Sequence, residues 1–321
     1  MSTPQTPAQP RGRGRKRIWL AVRLAVAAAA LLWTLSRVSL DEMLQSASRV
    51  TPWAAAGAIA LNFLNLGIGA LRWKILLRAY GSRHSPSVPF LARVYLVGMF
   101  YNTFLPGNVV GDALRAHTTR RAFDGAAGSY LIVAIERVFG LAGLLTLGAS
   151  VLAVHPIGGI AHLPELAACA LGLALLAAAS PLIGRRLARW LPRRIASIAE
   201  KLPPVTTPSL LVVVLALSVC TQTVVALTGH LLVSSIQPAV ALGDSLVLVP
   251  LALIAVYFPI TVAGLGVREA AFVLLFTGVG VDRADATAAS LAFLAAQLVV
   301  ALAGGLAHVL WPLDAPEDDS R

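Results

Sequence analysis

Apolar runs recur along the whole sequence, separated by short stretches rich in arginine, proline and glycine. Six runs approach the roughly 20 residues that a helix needs to cross a bilayer. They are Trp19–Leu35, Trp53–Ala70, Leu131–Val154, Leu166–Ile183, Leu210–Val233 and Ala286–Leu310. Two others are too short. Val94–Leu105 makes a helix of roughly 18 Å, against a hydrocarbon core of about 30 Å, and it stops at Pro106-Gly107. Ser245–Pro259 is broken by Pro259, Gly264 and Gly266. A further short helix is expected after each break, from near Val109 in the first case and up to Val279 in the second. The pattern predicts an all-α polytopic membrane protein, with about six full spans plus two re-entrant broken-helix hairpins in an inverted repeat.

Composition agrees with that picture. Of 321 residues, 57% are hydrophobic and only 13% are charged, where a soluble domain carries about a quarter. The mean hydropathy is +0.78. The net charge of +11 raises nucleic acid as a partner, but the cations cluster at the ends of apolar runs. There they set orientation and attract anionic inner-leaflet lipids, so no nucleic-acid partner is expected. Cys169 and Cys220 lie singly inside apolar runs, which points to packing rather than to a disulfide or metal site.

The basic run Arg11–Arg17 places residues 1–17 in the cytoplasm as a disordered tail. The first span reads as a retained helix rather than a cleaved signal. A linker of mixed charge, Val38–Thr51, follows outside, and Lys74, Arg78 and Arg93 return to the cytoplasmic face. Residues 18–312 form one transmembrane domain with halves about 18–184 and 209–312. The basic segment 185–208 joins them, and it reads either as an amphipathic surface helix or as a plain basic loop. The acidic tail 313–321 is also cytoplasmic, in a multi-pass protein of the cytoplasmic (inner) membrane.

The two short segments match each other. Phe104-x-Pro106-x4-Gly111-x3-Arg115 and Tyr257-x-Pro259-x4-Gly264-x3-Arg268 share one pattern, and each has a carboxylate at hand, Asp112 or Glu269. Paired interrupted helices in inverted halves are the best sequence pointer to a transporter's site. Unwound backbone is tolerated at membrane depth only where it is buried or lines a wet cavity. A half-helix N-terminus offers free N–H groups and partial positive charge to a phosphate. Arg115 and Arg268, about a turn further on, add charge-assisted hydrogen bonds, and Asp112 and Glu269 orient them or cap the helices. The bland alternative is that Arg115 reaches the cytoplasmic headgroups and Gly264 and Gly266 only permit close packing. Glu136-Arg137 reads as a buried supporting pair. Asn62, Asn65, Asn102 and Gln222 read as interhelical hydrogen-bonding residues, and His230 and His308 as interfacial ones.

These motifs resemble a known family. Asn102-Thr103-Phe104-Leu105-Pro106-Gly107-Asn108-Val109-Val110-Gly111-Asp112-Ala113-Leu114-Arg115 is similar to the N-x-x-L-P-G-x-x-G-G-D-x-x-R of the flippase-like family that includes the transmembrane region of lysylphosphatidylglycerol synthases. Pro259 through Gly264-Leu265-Gly266-Val267-Arg268-Glu269 is similar to that family's P-x-x-x-x-G-L-G-x-R-E, and Arg72-Trp73 and Glu136-Arg137 also fit. Val110 replaces the first glycine of the Gly-Gly-Asp. Full-length synthases carry an aminoacyl-transfer domain after the membrane region, and this sequence ends at Arg321, so the resemblance implies the translocation half alone.

The resemblance implies a headgroup site of Asn102, Pro106, Gly107, Gly111, Asp112, Arg115, Pro259, Gly264, Gly266, Arg268 and Glu269. Arg72, Glu136 and Arg137 support it. No cofactor, metal or catalytic cluster is implied. The expected function is binding and translocation of a phosphate-bearing lipid, anionic or zwitterionic. Two alternatives stay open: a membrane-embedded lipid-carrier transferase, and a non-transporting subunit beside a separate envelope-lipid synthase. Gly304-Gly305 permits association into an oligomer without requiring it.

Overall fold

The computed structural model describes residues 39–82, 86–105, 110–120, 126–157, 165, 167–176, 205–254, 266–311 and 313. Among these residues there are ten helices and no strand. In chain order they are α1 (Leu40–Ser48), α2 (Pro52–Ala79), α3 (Val88–Phe104), α4 (Val110–Thr118), α5 (Ala126–Leu152), α6 (Ala167–Leu176), α7 (Ser209–Ile236), α8 (Leu242–Ala252), α9 (Val267–Thr277) and α10 (Arg283–Leu310). The long apolar helices α2, α5, α7 and α10 are each able to cross a membrane by length and composition. The protein is an all-helical polytopic membrane protein.

Several boundaries differ from the sequence reading. The supposed linker holds α1, started by a capping box in which Ser39 and Glu42 satisfy each other's backbone N–H. α3 begins six residues before Val94, because the Ser87 hydroxyl accepts from the Phe90 N–H and a proline occupies the first turn. At 17 residues it is about 25 Å long, still short of a full span. α8 begins at Leu242, three residues earlier than expected, and carries Pro250 inside it. The first span, residues 106–109, the segment 177–204 and residues 255–265 lie outside the described residues, so the fourth span is seen only as α6. Cys169 and Cys220 are both exposed rather than packed inside.

End-to-end contacts sort the chain into two ends. The N–H groups of Thr206 and Thr207, just before α7, bond the carbonyl of Ala79 at the end of α2. Arg93, near the start of α3, donates to the Trp311 carbonyl at the end of α10. At the opposite end, Arg49 pairs with Asp285 at 2.7 Å, and His155, just past α5, pairs with Asp244 of α8 at 2.9 Å. Thus α2 and α7 run antiparallel, and α3 and α8 enter from opposite ends.

The packing repeats in the same inverted sense. α2 lies along α7; α2 against α3 is matched by α7 against α8; α4 against α5 is matched by α9 against α10; and α3 against α10 is matched by α8 against α5. Two apolar cores fill the ends. One gathers Trp73, Leu76, Tyr80, Leu91, Ile132 and Phe139 near the Ala79 end. The other gathers Ala58, Leu152, Leu232, Leu248, Phe276 and Phe293 near the Asp285 end. Polar side chains of α2 and α7 fall between them, at the middle of the helices.

Candidate functional site

Arg115 sits in the second turn of α4 and is buried. Its Nη2 donates to Asp112 Oδ1 one turn earlier at 2.7 Å, and its Nη1 donates to Glu136 Oε2 of α5 at 2.8 Å. Glu136 accepts from Arg72 Nη2 of α2 at 2.9 Å and from the Tyr95 hydroxyl of α3. Asp112 Oδ2 accepts from Arg137 Nε at 2.6 Å. Three guanidiniums and two carboxylates from α2, α4 and α5, joined by the Tyr95 hydroxyl of α3, thus form one connected cluster. The Arg115 guanidinium also lies 4.1 Å from the Tyr95 ring centre and 5.3 Å from that of Trp73, favourable positions for a cation over an aromatic face.

Neighbours in sequence point to different partners here. Glu136 and Arg137 do not pair with each other. One helical step turns Glu136 into the cluster's centre and Arg137 toward Asp112, with the Arg137 side chain 34% exposed. Each thus holds another member of the cluster, Glu136 from a buried position and Arg137 from a partly exposed one.

The second half builds a smaller version. Arg268 is the second residue of α9, not a turn inside it. Glu269 Oε1 accepts from Arg268 Nε at 3.0 Å, and Glu269 Oε2 accepts from the Gly266 N–H at 2.6 Å. One carboxylate therefore both holds the arginine and caps the helix. Gly266 has φ +80°, a left-handed conformation that glycine adopts freely. Arg268 Nη1 donates to Gln297 Oε1 of α10 at 2.6 Å. Gln297 thus takes the place that Glu136 has beside Arg115, without its charge.

The half-helix N-termini are less open than the sequence predicted. The Gly111 N–H is taken by Asn102 Oδ1 at 2.8 Å, and the Gly266 N–H by Glu269. Gly111 itself meets the backbone of Gly98, so its lack of a side chain serves the α3–α4 contact. Pro106, Gly107, Pro259 and Gly264 lie outside the described residues.

Both motif arginines face one cavity of about 350 Å³. Arg72, Arg115, Arg137 and Arg268 line it, with Asp112, Asn102 and Gln297 beside them. Asn62, Asn65 and Gln222 also line it. Of these, Gln222 donates across to the Gly140 carbonyl at 3.1 Å as an interhelical bond, whereas Asn62 bonds back to Ala58 of its own helix. Asn62, Asn65, Gly69 and Arg72 are spaced three, four and three apart, which aligns them on one face of α2. Tyr95 and Gln297 were not singled out in the sequence. Tyr95 sits in a continuous apolar run that gives it no mark, but Gln297 is the one strongly polar residue in the middle of α10.

Two further contacts tie the helices together. Gly304 and Gly305 are packed against Leu96 and Phe100 of α3. His230 bonds Ser245 of α8 at 3.0 Å.

A comparison with curated proteins finds no match. Residues 20–305 match the family model described as "Lysylphosphatidylglycerol synthase TM region". That match takes in α1 to α9, all but the last five residues of α10, and both arginine motifs. The chain belongs to the family of the lysylphosphatidylglycerol synthase transmembrane region.

Proposed function

We propose that this protein binds the phosphate of a membrane lipid between Arg115 and Arg268 and passes the headgroup across the cytoplasmic membrane, leaving the acyl chains in the bilayer. The single observation that carries the reading is that both motif arginines, one from each inverted half, line the same cavity. Transporter sites built from interrupted helices lie near the bilayer midplane at the interface of such repeats. The cavity's place between two apolar end cores fits that position. Its size, about 350 Å³, lies within the range of small-ligand pockets, roughly 300–1,000 Å³, and suits a headgroup rather than a whole lipid.

The chemistry supports the reading too. Buried ions cost at least a few kcal/mol each in a membrane, and this cluster holds guanidiniums, groups that suit phosphate oxygens, at the cavity wall. The Ala79 end, with Lys74, Arg78 and Arg93 near it, is assigned to the cytoplasm, with both termini there, because positive residues concentrate on that side. The reading makes the protein a transporter and not an enzyme, with anionic inner-leaflet lipids against its basic face.

The test is native mass spectrometry of the detergent-purified chain, comparing wild type with Arg115→Ala/Arg268→Ala. The proposal expects a phospholipid retained by wild type and lost from the double variant. Equal retention would make the arginines structural. A second reading is favoured by the family description, which names a region of a synthase: a non-transporting subunit that positions lipid for a separate enzyme. Co-purification of a stoichiometric synthase, with no lipid movement in vesicles, supports that one.

A further inference from the structure

The short helix α1 carries three kinds of side chain on three flanks. At 3.6 residues per turn, Ser46 and Arg49 share one side, Asp41, Gln45 and Ser48 a second, and Leu44 and Ala47 a third. The first side docks on α10. The Ser46 hydroxyl, 1% exposed, donates to Asp285 Oδ1 at 2.7 Å, and Arg49 Nη2 donates to the same oxygen at 2.7 Å. The second side is polar and exposed, as suits water. The third is apolar and exposed as well, with Leu44 at 56%.

The depth of α1 follows from its neighbours. α10 has 28 residues and is about 42 Å long, close to the roughly 40–45 Å of a bilayer with its headgroups. Its two ends therefore lie at headgroup level, and Asp285 is in its first turn. α2 begins at Pro52, close behind α1, and its second residue, Trp53, is 87% exposed. Trp311, just past the other end of α10, is 63% exposed. Tryptophan is enriched at both membrane–water interfaces, so these two mark the same levels. α1 is thus held where headgroups meet acyl chains.

The apolar side suits a lipid leaflet better than a second copy of the chain. A stable dimer needs about 800 Å² from each partner, which Leu44 and Ala47 cannot supply. The surrounding charge is acidic: Asp41, Glu42, Asp282 and Asp285 outnumber Arg49 and Arg283. Two such rims repel across a dimer interface. An amphipathic helix, by contrast, enters a leaflet through its apolar side.

We propose that α1 is an interfacial helix that sets Leu44 and Ala47 among the lipids of the leaflet at the Asp285 end and leaves Asp41, Gln45 and Ser48 in water. That leaflet is the extracytoplasmic one on the orientation proposed above; a reversed orientation changes the leaflet but not the contact. The contact is apolar, so it needs no anionic lipid and does not weaken with salt. Through Asp285 it fixes the depth of α10, whose Gln297 accepts from Arg268.

The test uses the full-length protein with Cys169→Ser/Cys220→Ser in phosphatidylcholine vesicles. A nitroxide is attached in turn at Asp41→Cys, Leu44→Cys, Gln45→Cys, Ala47→Cys and Ser48→Cys, all exposed positions, where substitutions cost little stability. Spin relaxation reads collisions with oxygen, which concentrates in lipid, and with a nickel chelate, which stays in water. The ratio of oxygen to nickel collisions is expected to be severalfold higher at positions 44 and 47 than at 41, 45 and 48, in low and high salt alike. Nickel collisions as frequent at position 44 as at 45 would place Leu44 in water and overturn the proposal. Rare collisions with both reagents at 44 and 47 would overturn it too, because the first span or a second copy would then cover that side. None of these outcomes bears on lipid binding at the arginine cavity.

Discussion

A Cβ placed on Gly111 would stand 2.0 Å from the carbonyl oxygen of Gly98. The two arms of the first hairpin, α3 and α4, thus approach backbone to backbone, and this contact sets where the following turn presents Asp112 and Arg115. The same device recurs where a Cβ on Gly304 would lie 2.1 Å from the Leu96 carbonyl oxygen, joining α10 to the other side of α3.

Gly111→Ala is therefore expected to push α4 off α3. Overpacking of this kind costs about 1–3 kcal/mol, and here the blocking atom is backbone. Thermal unfolding in detergent should show a clear drop in Tm. Gly148→Ala on α5, where a Cβ meets nothing within 4 Å, serves as the contrast. It should hold or raise stability by up to about 1 kcal/mol, the helix preference of alanine over glycine.

Glu136 bridges Arg72 and Arg115 while almost fully buried. Glu136→Gln removes one charge from between two guanidiniums, and breaking a buried pair costs about 3–5 kcal/mol. Lower yield and lower Tm are expected. Because Arg115 then has only Asp112 as an anionic partner, Glu136→Gln/Arg115→Gln should be less destabilised than the two single effects combined.

At the opposite end, the Arg49–Asp285 pair is lopsided, with side chains 46% and 5% exposed. Arg49→Ala should cost no more than about 1 kcal/mol, as surface pairs do. Asp285→Ala also deprives the buried Ser46 hydroxyl of its acceptor at 2.7 Å. Unsatisfied buried groups cost about 1–3 kcal/mol, so the Tm drop should be distinctly larger for Asp285→Ala.

The assignment of sides is tested by cysteine labelling in a Cys169→Ser/Cys220→Ser background. Gln45→Cys should react with a membrane-impermeant maleimide in intact cells, and Arg78→Cys only after permeabilisation. The reverse pattern would invert the protein in the membrane.

Much of this architecture can be read from the chain, because hydropathy reports burial in lipid directly. The long helices α2, α5, α7 and α10 follow from it, and the shared Pro-x4-Gly-x3-Arg spacing picks out the two arginines that meet at one cavity. What escaped notice was decided by local or tertiary contacts. α1 hides in a polar stretch, although its Ser39-x-x-Glu42 capping box is a sequence signal. The motif spacing equates Arg115 with Arg268, but α4 and α9 start at different distances before them, so the arginines occupy different turns. Tyr95 could not be singled out, since nothing in an apolar run tells a lipid-facing tyrosine from one that bonds a buried glutamate. The polar stripe Asn62-Asn65-Arg72 was visible as helical spacing, but its role depends on what α7 and α10 place opposite it.

The most direct measurement is headgroup movement in vesicles. Purified protein is reconstituted with a fluorescent phosphatidylglycerol, and the fraction that becomes accessible to a membrane-impermeant quencher is followed over time. The account predicts protein-dependent movement by wild type and none above protein-free vesicles for Arg115→Ala/Arg268→Ala, with both proteins inserted to the same extent. Equal movement by the two would contradict the claim that these arginines carry the lipid phosphate.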